Sequence, residues 1–301
     1  MGSSAPFLFV RALQPAAKSG VITIVISCST NDGAGKQLTT LFISHGAPTL
    51  ATEPGETGKL LSRLAESIPQ PSAILAVSAH WDTAHPQIST ATKPQTIHDF
   101  SGFPPALYQL QYPAPGAPEL AEKTAALLRQ AGFSPELDAT RGLDHGGWVP
   151  LRLMYPDADI PVTQLSIQGQ AGPQAHLKMG RAIASLQQDN VLILCSGAVT
   201  HNLRHFFTSE RDAAVLDYVT EFADWLGQRI TAADLAALLD YRNSSYGRQA
   251  HPSEDHILPL FVAVGAGEGS AVTRYQPENT YGILAMDVYC WSGTRACHTR
   301  D

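Results

Sequence analysis

The chain has 301 residues, of which 44% are hydrophobic and only 16% charged, and its formal net charge is −7. Such a composition buries a sizeable core and excludes a disordered or fibrous protein. With 20 Lys and Arg against 27 acids and no basic run, nothing would displace counterions from phosphate, so nucleic acid is not an expected partner.

Residues 1–38 carry only Arg11 and Lys18 as charges before Asp32 and read as a poorly ordered N-terminal extension. Their lack of acids is shared with organelle-targeting segments, whereas the apolar run Val21–Ile26 is too short and too late for a secretory signal. From Thr39 onward, short β-branched or apolar runs alternate with helical periodicity. In chain order the pattern predicts a strand at Thr40–Ile43, a helix at Gly58–Ala65 and a strand at Ala73–Ser78. A long Pro- and Gly-bearing loop over 97–116 follows, then a helix at Pro118–Gln130. Leu143–Trp148 reads as a tight loop, ahead of a strand at Val162–Ile167, a helix at Ala175–Gln188 and a strand at Val191–Cys195. Helices at Ala213–Gln228, Ala232–Leu239 and Ile257–Val264 and a final strand at Gly282–Tyr289 complete the chain.

Strands alternating with helices imply a single α/β domain, a mostly parallel sheet flanked by helices, spanning 39–292, with 293–301 as a C-terminal tail. No stretch approaches the roughly 20 apolar residues that span a bilayer. Cys28, Cys195, Cys290 and Cys297 form no C-x-x-C pair and point to a reducing compartment, the cytoplasm, with organelle targeting left open by the extension. Nothing in the sequence sets an oligomeric state.

The eleven histidines are the unusual feature of the composition. His45 in Ser44-His45-Gly46-Ala47-Pro48, His80 in Ser78-Ala79-His80-Trp81 and His201 in the run from Ser196 to Leu203 each follow a predicted strand. In a parallel sheet these positions share the carboxyl edge, where α/β sheets bind ligands. Two more belong with them: His145 in Asp144-His145-Gly146-Gly147-Trp148, and His256, preceded by Glu254 and Asp255 at the start of a helix whose dipole favours a neutral imidazole. His98-Asp99, in the long loop, extends the group; His85, His176, His205 and His298 read as surface residues. Imidazoles gathered from distant loops suit an open catalytic Zn, Fe, Cu or Ni site; a structural zinc module would need closely spaced ligand pairs. No G-x-S-x-G elbow is present, and the glycines at 265–269 follow a helix instead of opening one, so a nucleophile elbow and a phosphate cradle are both unsupported.

On these motifs, together with Thr96–Pro104, Tyr112–Gly116, Tyr155–Pro161 and His256-Ile257-Leu258-Pro259-Leu260, the sequence resembles the DODA-type (4,5-DOPA dioxygenase-like) extradiol aromatic ring-opening dioxygenases, the class III extradiol family. The resemblance runs from about Leu41 to Trp291 and is poor over 205–250 and the first 38 residues. It implies a catechol substrate, dioxygen as co-substrate and one non-haem metal ion, Fe(II) for activity, with Zn as an ion also found there. It further implies that His45, His80 and His256 are metal ligands, and that His201 stands at the metal as a fourth ligand or as the acid–base. His145 then faces substrate, while His98, Asp99, Trp148 and the loop 97–116 wall the pocket, with Trp81 beside them. A ligand role for Asp255 or Glu254 would displace His256 from this set. Two other readings share the histidine site: a zinc hydrolase using His201 as base, and a non-enzymatic metal-binding homologue.

Overall fold

The computed structural model describes residues 38–293. The expected extension at 1–38, except Leu38, and the tail beyond Gly293 lie outside the described residues. The strands are β1 (Leu38–Ser44), β2 (Ala73–Asp82), β3 (Gln87–Ser89), β4 (Glu136–Asp138), β5 (Val162–Ile167), β6 (Val191–Gly197), β7 (Ala271–Tyr275) and β8 (Val288–Gly293). The helices are α1 (Gly55–Ser67), α2 (Pro118–Gln130), α3 (His145–Met154), α4 (Gly172–Ile183), α5 (Asp217–Thr231), α6 (Leu235–Leu239), α7 (Gly247–Ala250) and α8 (Leu258–Ala266).

The strands form one eight-stranded sheet in the order β4-β3-β5-β2-β6-β1-β8-β7. Its centre, β5-β2-β6-β1, is parallel, and antiparallel pairings join it to β3 on one side and to β8 and β7 on the other. Successive side chains of a strand point to opposite faces, and here both faces are covered. Phe42, Leu75, Val77, Ile193 and Cys195 pack with residues of α2, α4, α5 and α8. The alternate positions Leu41, Ile43, Ile74, Ala76, Leu192 and Leu194 pack with residues of α1 and α3. This two-sided burial explains why the central strands read as continuous apolar runs.

Several boundaries differ from expectation, each for a local reason. β2 does not stop before His80 but continues through it to Asp82, its pairing with β5 shifting register between Ser78 and Asp82. Leu143–Trp148 is not a tight loop: Asp144 accepts the Gly147 N–H and caps α3, which begins at His145. The helix expected at 175–188 ends at Ile183 and tightens into a 3-10 turn, Ala184–Asp189, closed by Asn190 in a left-handed conformation. Expected helix starts at Ala213 and Ala232 give way to Asp217 and Leu235, the latter capped by Asp234. The last strand starts at Val288 instead of Gly282, because Tyr281 (φ 56°) and Gly282 (φ 66°) turn left-handed and Thr280 pairs back to Leu284. The short, partly exposed β3, β4 and β7 carried too little pattern to be predicted.

His176 overturns its surface assignment. It is fully buried, its Nδ1–H donating to the Gly172 carbonyl (2.8 Å) and its Nε2 accepting the Gln168 N–H (3.1 Å). It ties α4 to the end of β5, and burial lowers its pKa.

Candidate metal centre and active site

The parallel register brings the ends of β1, β2 and β6 together, and main-chain contacts there fix the site. His45, just past β1, donates its backbone N–H to the Gly197 carbonyl at the end of β6 (3.0 Å). The next amide, Ala198 N–H, donates to the His256 carbonyl (2.9 Å). That carbonyl lies 2.1 Å from where a Cβ on Gly197 would stand, so only glycine admits the segment leading into α8.

Three imidazoles converge as a result. His80 Nε2 lies 3.1 Å from His45 Nε2 and 3.2 Å from His256 Nε2. Each opposite nitrogen is engaged: His45 Nδ1 with Ser196 Oγ (2.8 Å), His256 Nδ1–H with the Asp255 carboxylate, and His80 Nδ1 with Asp99 Oδ2 (3.3 Å). Where Nδ1 carries the proton, Nε2 presents a lone pair. The cluster therefore points bare nitrogens at one another, an arrangement that a cation relieves. Metal–nitrogen bonds of about 2.0–2.1 Å place adjacent ligands about 2.9–3.4 Å apart, so the observed spacing fits a divalent transition ion. Asp255 supports His256 from behind, the role carboxylates commonly take toward ligand histidines.

The electrostatics agree. Burial, followed by the neighbouring imidazoles, holds His45 well below its ordinary pKa. Burial and then His201 do the same for His256, which Asp255 opposes. His80 is lowered to about 4, chiefly by burial and then by His145.

His201 stacks on His256 with ring centroids 3.3 Å apart and planes 8° apart. Its backbone N–H donates to the Ala250 carbonyl (2.8 Å), and burial lowers its pKa to about 4, Asp255 opposing. His145, the first residue of α3, approaches His80 at 3.9 Å and His45 at 5.4 Å between centroids. Asp99 accepts both its backbone N–H (2.9 Å) and its Nδ1–H (3.0 Å). Burial would raise the Asp99 pKa, but the side-chain and backbone hydrogen bonds from His145 bring it down to about 2. All five histidines, singled out by strand ends (His45, His80, His201), an expected tight loop (His145) and a helix start (His256), thus come together, and Asp99 with them.

The remaining expected residues sit around this core. His98 donates Nε2–H to the Leu110 carbonyl (3.0 Å) within the long loop and lies among Phe100, Tyr108 and Trp148. Trp148 is fully buried; its indole N–H donates to the Ile97 carbonyl (2.9 Å) and supports the loop from beneath. Trp81 is buried on β2 with the Arg141 guanidinium over its ring at 5.0 Å. Phe100 meets the His145 ring edge-on at 90°, and a chain of ring contacts continues through Phe103 and Phe206 to Tyr281.

Asp144 and Ser196 stood beside motif residues without a role. The Asp144 carboxylate is fully buried and accepts from Ser78 Oγ–H (2.7 Å), Arg141 (2.7 Å), Gly147 N–H (3.2 Å) and the Gln164 amide. It joins β2, β5 and the start of α3 beneath His80 and His145. An Asp ahead of two glycines signals a helix cap as readily as a turn, and the cap reading would have found it.

Residues 39–288 match the family model of the catalytic LigB subunit of aromatic ring-opening dioxygenase. The chain belongs to the LigB family of aromatic ring-opening dioxygenases. It is 41% identical over 261 residues to a 4,5-DOPA dioxygenase extradiol of Beta vulgaris, covering 85% of this chain and 97% of that protein. It is 37% identical to the Escherichia coli K12 protein of the same name, covering 76% and 85%. It is 33% identical to a dioxygenase of Hapsidospora irregularis, covering 84% and 85%. Among solved structures, an uncharacterized Escherichia coli K12 protein aligns with a TM-score of 0.71 and 30% identity, covering 84% of this chain and 99% of that one. This LigB-family member is accordingly an enzyme, a ring-opening dioxygenase of the extradiol class, and its histidine cluster is a candidate metal site.

Proposed function

We propose that the protein opens a catechol ring at one non-haem metal ion held by His45, His80 and His256, with Fe(II) as the active ion and Zn as an alternative occupant. The observation that carries this is the convergence of three supported imidazole nitrogens 3.1 and 3.2 Å apart. When bound, the ion supplies Lewis acidity toward the catechol hydroxyls and electron transfer toward dioxygen. His201, neutral at physiological pH and stacked on His256, is the base that accepts a catechol proton and later returns it. His201 groups with Asp255 and His256 and not with the trio of His45, His80 and His256, which favours the acid–base role over that of a fourth ligand. His145, beside His80, faces the substrate. Phe100, with His98 and the loop above Trp148, walls the ring and excludes water.

The relatives named 4,5-DOPA dioxygenase extradiol make L-DOPA the first catechol to try. No helix among the described residues is long and apolar enough to cross a membrane. Cys195 and Cys290 are free and buried, which supports a reducing, cytoplasmic setting.

The test is to reconstitute the protein anaerobically with Fe(II), add a substituted catechol and air, and follow oxygen uptake with the rise of a yellow product. Uptake that needs Fe(II) and disappears in His201→Ala supports the reading. Failure with every catechol, joined to ester or amide hydrolysis by the zinc form, would replace it with the hydrolase.

A further inference from the structure

We propose that Asp99 is a positioning residue: it fixes the tautomer of His145 and, through a shared oxygen, steadies the ring of His80. The catalytic consequence rests on the dioxygenase reading above; the tautomer assignment does not.

Its place in a loop beside the site suggests that Asp99 meets substrate directly. The geometry points elsewhere, because both carboxylate oxygens are already committed. Oδ1 accepts the backbone N–H of His145 (2.9 Å), a group that the first turn of a helix leaves without an intrahelical partner. Oδ2 accepts the His145 Nδ1–H (3.0 Å) and lies 3.3 Å from His80 Nδ1. Asp144, the neighbouring acid, is spent on the Gly147 N–H and cannot substitute. The loop that brings Asp99 is pinned on both sides. Trp148 holds the Ile97 carbonyl before it, and Phe100 lies edge-on to the His145 ring after it.

A neutral imidazole that donates from Nδ1 has its lone pair on Nε2. Asp99 therefore makes His145 a proton acceptor toward the site. Asparagine at this position would keep the shape and break the logic. It offers one acceptor oxygen and one NH2 group to two N–H donors. If its oxygen takes the backbone N–H, the NH2 faces Nδ1, which must then accept, and the proton moves to Nε2. A residue that only packed would tolerate this exchange.

The tautomer is read first in the metal-free protein, by two-bond proton–nitrogen NMR of 15N-histidine-labelled chain at pH 7.5, with the His145 signals assigned by their loss in His145→Ala. Wild type is expected to show Nδ1 protonated and Nε2 bare, and Asp99→Asn the reverse. With Fe(II) and a catechol, Asp99→Asn should lose about 100- to 10,000-fold in kcat, as reversing a catalytic histidine's tautomer does elsewhere, with KM changed less than about threefold. In a His145→Ala background the same substitution should cost less than about tenfold, because Asp99 acts mainly through that ring and only its 3.3 Å contact with His80 is left. A wild-type spectrum with the proton on Nε2 overturns the proposal even if Asp99→Asn does not fold. So do losses that multiply in the double variant, or a raised KM at unchanged kcat, either of which makes Asp99 a substrate contact. If wild type consumes no oxygen with any catechol, the dioxygenase reading falls while the spectra still decide the role of Asp99.

Discussion

His45, His80 and His256 each spend one ring nitrogen on a neighbour and aim the other at the same small volume. Replacing any of them with alanine should leave less than about one-tenth of the wild-type metal after reconstitution and desalting, measured by atomic absorption; full occupancy in all three would refute the cage. Ser196→Ala is expected to be milder, weakening affinity about 10- to 100-fold, as losses of a ligand's supporting hydrogen bond do. Asp144→Ala removes the buried partner of Arg141, Ser78 and Gln164 and should cost about 3–5 kcal/mol in urea unfolding. At this scale much was legible, because His45, His80 and His201 follow apolar runs whose ends share one edge. What fails at this scale is the reading of isolated residues. His176 lies in a helical pattern after one strand and His201 in a motif after another, yet one bonds main chain inside the fold and the other stacks at the cluster. The difference lies in which strand end each meets, which no local window contains.

Among the elements, α2 and β5 match their predicted limits because each combines clean periodicity with a strong boundary: Pro118 at the first turn of one, Pro161 ahead of the other. α3 was hidden by Gly146, Gly147 and Pro150, all poor helix formers. Tertiary need explains them. A Cβ on Gly146 would lie 2.3 Å from Ser78 Oγ, so glycine lets the helix start press against β2 and bring His145 beside His80. A close main-chain approach in the site joins β6 to the segment ahead of α8, at Gly197. Gly197→Ala should therefore displace the His256 carbonyl, costing about 1–3 kcal/mol of stability and more metal affinity than that loss implies. Thermal melts and metal titration of one preparation compare the two effects; intact metal binding in the variant would show that the segment shifts freely.

Across the whole molecule, the buried histidines set the response to acid. His251 is fully buried, with Nε2–H on the Val199 carbonyl, and burial lowers its pKa to about 3. His176, His201 and the three converging imidazoles are lowered as well. Each group takes up a proton more readily unfolded, near pH 6.5, than folded, so the unfolded chain binds more protons between those values. Stability of the metal-free protein is then complete above about pH 6.5 and falls as pH drops toward about 4 and 3. Melting temperatures by circular dichroism from pH 8 to 4.5 should decline steadily below 6.5, and a flat profile would contradict the burial. Saturating metal should raise the midpoint at neutral pH, the added stability being about 2.7 kcal/mol at a hundredfold excess over Kd.

The spread of the converging residues along the chain also has a consequence for synthesis. His45 leaves the ribosome early and His256 late, and β1, which leads into His45, completes its hydrogen bonding only when β8, the last described strand, pairs alongside it. A nascent chain halted ahead of His256 would hold His45, His80, His145 and His201 and still lack the closing imidazole. With the proposed ligand set, metal capture is a final event that needs the chain through His256, and products truncated before it should emerge unloaded.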